Sequence, residues 1–403
     1  MRYLIVLGDG MADYLKGPLG QSTPLEMAYK PNMDYLASRG MTGLIQTIPH
    51  GMKPASDVAN LSVLGYDPAV YYSGRSPLEA LAMGVIMEET DIALRANLVT
   101  LSQAQTFEDK IMLDYSADEI PTHQAKLLID AIKREMQNDR FNFYAGVSYR
   151  HCLIDKQGGG KDVAFTPPHD ISDKKIGEYL PKGEGAQAFI DLIKKSQKIL
   201  ETHPVNINRA KEGKNKANAL WFWGAGTKPK LVPFYEKYQL KGAIISAVDL
   251  LKGIAAGADM EAPTVQGATG NIDTNFQGKA QAVIDAFERG LDFAYLHIEA
   301  PDECGHRGQA QAKIKAIEKI DEVVGMLVDY LNKAGEDYVI AVLCDHATPL
   351  CLRTHVSDPV PYIIYNPRKE TISDTKYTEK DAQKGEFLSK GQMLIEKMLE
   401  MSR

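Results

Sequence analysis

The sequence predicts an α/β protein, a mostly parallel sheet covered by helices, into which one ferredoxin-like α+β domain is inserted. Three observations lead there. Apolar strands alternate with helices toward both ends of the chain, the signature of a parallel sheet with helical cover. Between them, residues 92–224 run in the order β-α-β-β-α-β. Acidic residues and histidines then recur just past predicted strands, at Asp9, Asp302, Asp345 and His346, where open α/β sheets place their chemistry. The 403 residues suffice for two domains. The expected division is a discontinuous core, 1–91 with 225–403, and an inserted cap, 92–224.

Residues 3–7 form the first apolar strand, and Gly8-Asp9-Gly10 turns the chain into a loop and a helix reaching about residue 39. The loop 51–55 leads to Ser56, and a helix starts over 57–64. Another opens at 75–80, with Ser76 as N-cap and Pro77 as first helical residue. In the insertion, a strand over 94–100 and an extended piece over 111–115 precede a helix over 122–136. Strands follow at 141–147 and 149–155, then a long loop through Thr166-Pro-Pro-His169-Asp170, a helix over 186–201 and an aromatic strand over 219–223. The core resumes with strands at 242–247, 293–297 and 338–344. After Gly308, Ile314, Ile317, Ile320, Val324, Leu327, Val328 and Leu331 draw an amphipathic stripe that Gly335 terminates.

Composition narrows the function classes. The chain is 44% hydrophobic and 25% charged, ordinary for a globular protein. A net charge of −7 with no broad basic excess argues against nucleic acid or a membrane surface as partner, and leaves room for a local positive site facing an anionic substrate. The start MRYLIVLGDG reads as a strand rather than a signal peptide, and no stretch approaches the roughly 20 apolar residues of a spanning helix. Cys152, Cys304, Cys344 and Cys351 lack disulfide-framework spacing. A cytoplasmic location is expected.

The residues at the strand ends have the makings of a metal site. Asp302 and His306 are four apart, so on a helical turn both face one way. Asp345 and His346 follow the apolar run 339–344. Neighbours on a strand point to opposite faces, so a turn must bring both inward, either to share one ion or to flank two. His355 lies in an irregular, proline-bearing segment, 354–361, able to cross the same edge. Taken singly, a D-x-x-x-H pair arises by chance, an Asp-His pair can cap a turn, and His355 carries nothing. Their joint placement along one sheet edge is what points to metal. Mixed oxygen and nitrogen donors suit Mn²⁺ or Zn²⁺, with Co²⁺ or Mg²⁺ as further options. Cys344 reads as core and Cys304 is ambiguous; neither is assigned as a ligand.

Six blocks carry a resemblance: Gly8-Asp-Gly-Met-Ala-Asp13, Ala55-Ser-Asp-Val-Ala-Asn60, Leu64-Gly-Tyr-Asp-Pro68, Gly74-Arg-Ser-Pro-Leu-Glu-Ala80, Ala300-Pro-Asp-Glu-Cys-Gly-His306 and Cys344-Asp-His346. In this order they resemble cofactor-independent phosphoglycerate mutase of the archaeal type, within the alkaline phosphatase superfamily, from residue 3 to about residue 365. The resemblance implies an alkaline-phosphatase-like core, two divalent ions, no 2,3-bisphosphoglycerate, and a small phosphorylated carboxylic acid as substrate. It implies that Asp302, His306 and His355 hold one ion, and that Asp9, Asp345, His346 and the oxygen of Ser56 hold the other. Ser56 would be the nucleophile that takes the phosphoryl group from 3-phosphoglycerate and returns it to the 2-hydroxyl. A hinged cap would keep water out. The cap is shorter than in the bacterial form of the mutase, so arginine positions do not carry over.

Weaker candidates lie outside these blocks. Lys252, after strand 242–247, either contacts the phosphoryl group or is a solvated helix lysine; its alignment with the catalytic lysine of the wider family favours the former. In the insertion, Arg150, Arg209 and His169 are the picks for gripping a carboxylate and managing a proton. Arg95 reads as an ion-pair residue, Arg75 as a loop residue or one facing the site. His50, His123, His203 and His297 read as solvated or core histidines. Rival readings are another enzyme on the same core, such as a phosphatase, phosphonate hydrolase or phosphopentomutase-like protein, and a non-catalytic metal-dependent binding protein. A kinase is discounted, since Gly8-Asp9-Gly10 is too short for a nucleotide loop and no GxxxxGK[ST] occurs.

Overall fold

In the computed structural model, which describes residues 1–15 and 17–402, the chain forms two compact units. One is Met1–Tyr72 with Lys230–Arg403, the other Ser73–Pro229. Strands β1 (Arg2–Gly8) and β2 (Met41–Ile45) belong to the first unit. The second unit holds β3 (Ile92–Leu101), β4 (Met112–Asp114), β5 (Phe141–Tyr144), β6 (Arg150–Asp155) and β7 (Ala219–Thr227). The first unit resumes with β8 (Gly242–Ile245), β9 (Phe293–Ile298), β10 (Tyr338–Leu343), β11 (Val360–Tyr365) and β12 (Glu386–Leu388).

The first unit is built on a seven-stranded sheet ordered β12-β2-β11-β10-β1-β9-β8. Only β11 runs against its neighbours. Leu4 to Leu7 are fully buried, as a central parallel strand with both faces covered requires. Leu7 pairs with Leu343 on one side and His297 on the other, so β1, β9 and β10 end level. Whatever follows those strands is thereby gathered on one edge. The helix Ala310–Ala334 covers the sheet with the predicted stripe, Ile314, Ile317, Ile320, Val324, Leu327 and Leu331 buried and Val328 half-buried. Gly335 ends it at φ 66°, a left-handed conformation that costs glycine nothing. β2, β11 and β12 were not anticipated from sequence; they are short or proline-bearing, and they pair with one another along one flank of the sheet.

The second unit pairs its strands antiparallel in the order β5-β6-β3-β7, with β4 added at the end of β3. Helices Thr122–Met136 and Ala186–Glu201 lay Leu128, Ile132, Phe189 and Ile193 against Leu94, Leu98, Leu153 and Phe222. The unit begins at residue 73 and ends at 229, not at 92 and 224. The reason is the helix Arg75–Ala82. Its Ala80 packs with Ala93, Cys152 and Ile154, and its Glu79 pairs with Arg95, whose Nε donates at 2.7 Å. The N-cap of that helix is Gly74, not Ser76. The Ser76 hydroxyl is spent on the Gly224 carbonyl instead. Among the described residues no helix is long and apolar enough to cross a membrane.

Candidate active site

At the level edge of the first sheet, each strand end delivers one piece of chemistry. Asp9 follows β1, the helix Ala300–His306 follows β9 and carries Asp302 and His306 one turn apart, and Asp345 and His346 follow β10. Gly10 takes φ 64°, and a Cβ there would lie 2.7 Å from the Asp302 Cα. Only glycine lets the chain turn this tightly behind Asp9. Ser56 opens the helix Ser56–Val63, reached from β2, whose end lies on the same edge.

The side chains converge. His306 Nε2 lies 3.3 Å from Asp302 Oδ2 and 2.8 Å from His355 Nε2, which is 3.4 Å from Asp302 Oδ1. His346 Nε2 lies 3.3 Å from Asp345 Oδ2, 3.6 Å from Asp9 Oδ1 and 3.2 Å from Ser56 Oγ. The His346 and His355 rings stack at 3.9 Å. Asp302 with His346 and His355, and Asp9 with Asp345 and His346, each bring donor atoms within 4.8 Å of one another. All seven residues assigned to metal from the resemblance therefore meet here.

The donor set fits divalent cations. His306 Nδ1 donates to the Arg353 carbonyl at 3.0 Å, which leaves the Nε2 lone pair of the neutral ring facing the site. Two imidazole nitrogens 2.8 Å apart need a proton or a cation to draw them together. Asp9 Oδ1 is buried with no hydrogen-bond partner among the described residues, an orphan that a cation would satisfy. Burial, reinforced by Asp345 and Asp302, holds the Asp9 carboxyl well above its usual range. Burial acts on Asp302 in the same sense, but His306 and His355 outweigh it and hold that carboxyl well below. The hydrogen bond to Asp302 in turn lifts His306 to about 9. Such pulls on neighbouring groups are what a cluster of ligands experiences before cations neutralise it.

The other predicted residues have these surroundings. Arg209 is buried in the helix Pro204–Lys211 and donates to the Asn215 carbonyl, to Gln124 Oε1 and to the Ala117 carbonyl. It ties the second unit together, and at 1% exposure its guanidinium is closed off from a substrate carboxylate. Lys252 donates to Asp249 at 3.1 Å within its own helix, Asp249–Gly257. Arg150 is exposed and lies over the Tyr149 ring. His169 sits edge-on to Trp223 and Tyr115, with Asp170 at 3.5 Å. His297, read as an ordinary core or solvated histidine, instead meets Asp9 Oδ2 at 3.1 Å. Asn60, also unforeseen, donates to Asp345 Oδ2 at 3.0 Å and to the Ser56 carbonyl at 2.8 Å. The available signal was Asn60 lying four residues after Ser56, on the same helix face.

Comparison with known proteins gives the family. Residues 37–206 match the family model described as 2,3-bisphosphoglycerate-independent phosphoglycerate mutase. A protein of that name from Methanosarcina barkeri is 49% identical over 96% of this chain and 96% of its own length. The chain belongs to the 2,3-bisphosphoglycerate-independent phosphoglycerate mutase family. The Methanosarcina mazei mutase is 46% identical, with 96% of each chain covered. A solved structure from Pyrococcus horikoshii superposes at TM-score 0.83 and 30% identity, covering 99% of this chain and 97% of that one. A cofactor-independent phosphoglycerate mutase from Thermoplasma acidophilum does so at TM-score 0.69 and 25% identity, covering 100% of both. Residues 170–359 also match a model described as type I phosphodiesterase / nucleotide pyrophosphatase. The mutase family match thus spans both units.

Proposed function

We propose that this chain interconverts 3-phosphoglycerate and 2-phosphoglycerate by intramolecular phosphoryl transfer, without 2,3-bisphosphoglycerate. The observation that carries the reading is a serine hydroxyl at a helix start, Ser56 Oγ, 3.2 Å from His346 Nε2 among clustered carboxylates and imidazoles. Near-full-length identity to mutases of that name supports the substrate. Asp302, His306 and His355 would hold one divalent ion, and Asp9, Asp345, His346 and Ser56 Oγ a second, with Mn²⁺ the best match to the donors. Such ions, when bound, would supply the positive charge that acidifies the serine hydroxyl and neutralises phosphoryl oxygens.

The chain's own groups account for the rest. Ala55, the N-cap, offers no side-chain acceptor, and the Val58 N–H is taken by Asp57 Oδ1 at 3.0 Å, so among the first-turn donors the Ser56 and Asp57 N–H groups would serve an anion carried on Ser56. Ser56 Oγ would bond to phosphorus as the bond to the C3 oxygen breaks, and that oxygen leaves with a proton. The glycerate 2-hydroxyl would then attack the phosphoserine, give up its proton and free Ser56. Arg150, unpaired with any carboxylate among the described residues, would grip the glycerate carboxylate, and His169 would handle the alkoxide proton. Lys252 and Arg209 are given no part.

Phosphorus NMR of protein supplied with Mn²⁺ and 3-phosphoglycerate, free of 2,3-bisphosphoglycerate, tests this. A 2-phosphoglycerate signal, abolished by chelator and reduced on the order of 10³-fold or more by Ser56→Ala, is expected. Inorganic phosphate as sole product would make the protein a hydrolase, the reading favoured by the phosphodiesterase match.

A further inference from the structure

We propose that two residues of β9, Tyr295 and His297, are positioning residues that aim the carboxylates of Asp345 and Asp9 at one of the two ions. This rests on reading the sheet edge as a two-ion phosphotransfer site. Tyr295 and His297 are two apart on one strand, so their side chains leave the same face. Both are buried in a strand that otherwise reads as apolar core.

His297 works on Asp9. Ser246 Oγ accepts from the Val248 N–H at 3.0 Å and lies 3.2 Å from His297 Nδ1. Its own proton is free to go to Nδ1, which leaves the imidazole proton on Nε2, 3.1 Å from Asp9 Oδ2. The opposite tautomer would set a nitrogen lone pair against a carboxylate lone pair. Lys279, buried, donates to the His297 carbonyl at 3.3 Å and steadies the strand end. With Oδ2 held, the orphan Oδ1 is the atom left facing His346.

Tyr295 works on Asp345 through Asn60. Its hydroxyl donates to Asn60 Oδ1 at 2.5 Å. That fixes which way the amide faces, so Asn60 Nδ2 points at Asp345 Oδ2 and at the Ser56 carbonyl. One buried phenol thus sets both a ligand and the first turn of the nucleophile's helix. Asp302 and His306 are supported from outside β9, by Thr348, whose Oγ1 also lies 3.3 Å from His346 Nδ1, and by the Arg353 carbonyl. The two relays therefore serve Asp9 and Asp345 and leave the Asp302 group to itself.

Calorimetric Mn²⁺ titration of chelator-stripped protein reads this out. The wild type should bind two ions. His297→Ala and Tyr295→Phe should each weaken one binding class by about 10–100-fold and leave the other unchanged. His297→Gln, whose amide can still donate to Asp9, should recover most of the loss, which it would not do if His297 were itself a ligand. Unchanged titrations, or both classes weakened together with a lowered metal-free Tm, would overturn the proposal. The two readings fail separately. Selective loss in the variants of a wild type that binds two ions but forms no 2-phosphoglycerate would support positioning and refute the substrate.

Discussion

Two arginines of the second unit, equal in sequence as ligands for a carboxylate, are told apart by burial. Arg209 is fully enclosed and satisfies three acceptors. Arg209→Ala should cost about 2–4 kcal/mol of unfolding free energy, because three acceptors lose their donor in the interior. Urea unfolding measures that, and KM for 3-phosphoglycerate in the folded fraction should not move. Arg150 is exposed, so Arg150→Ala should leave the urea midpoint in place and raise KM roughly tenfold. The cluster of carboxylates and histidines was legible from joint placement, because a spacing of four and a strand end each fix a direction in space, while the assignment of each residue to an ion rested on the resemblance. His297 was not, since in Phe-Ala-Tyr-Leu-His-Ile a histidine looks like a core residue until its partner, distant in sequence, is known.

Between elements, a buried polar chain joins the start of the fold to its end. Lys313, on the long helix, pairs with Asp13 at 2.8 Å and donates to the Thr348 carbonyl. The Asp13 N–H donates to Glu379, which also accepts from Thr23 Oγ1. Lys313→Met should cost about 3–5 kcal/mol, since it strands the Asp13 charge, and adding Asp13→Asn should restore part of it. Burial lifts Glu379 from the usual 4.5 to about 7, against the pull of Thr23. The folded form therefore holds a proton that unfolding releases. Stability should fall as pH rises between those values, and Glu379→Gln should flatten the fall in urea midpoints of chelated protein. None of this was legible beforehand, because Asp13, Lys313 and Glu379 lie in three separate segments. The helix that bears Lys313 was, from its apolar period through to Gly335. β2, β11 and β12 gave no such period; Gly43 and Pro361 interrupt runs too short to announce a strand.

For the whole molecule, the order of strands and helices in the insertion was readable, and its limits were not. The shift of character at residue 92 marks the first strand, whereas the unit starts with the helix before it. A fragment 73–229 should therefore unfold cooperatively, while 92–224 leaves Arg95 without Glu79 and bares Ala93, Cys152 and Ile154. Circular dichroism on the two fragments should show the longer with the higher Tm. The longer fragment is also closed by the Ser73 hydroxyl, which donates to the Thr227 carbonyl at 2.6 Å. A segment whose two ends meet at one hydrogen bond can lengthen, shrink or be exchanged between relatives at little entropic cost to closure. Substrate choice in such a lineage can drift by swapping what hangs from that stitch, while the sheet bearing the carboxylate and histidine cluster stays as it is.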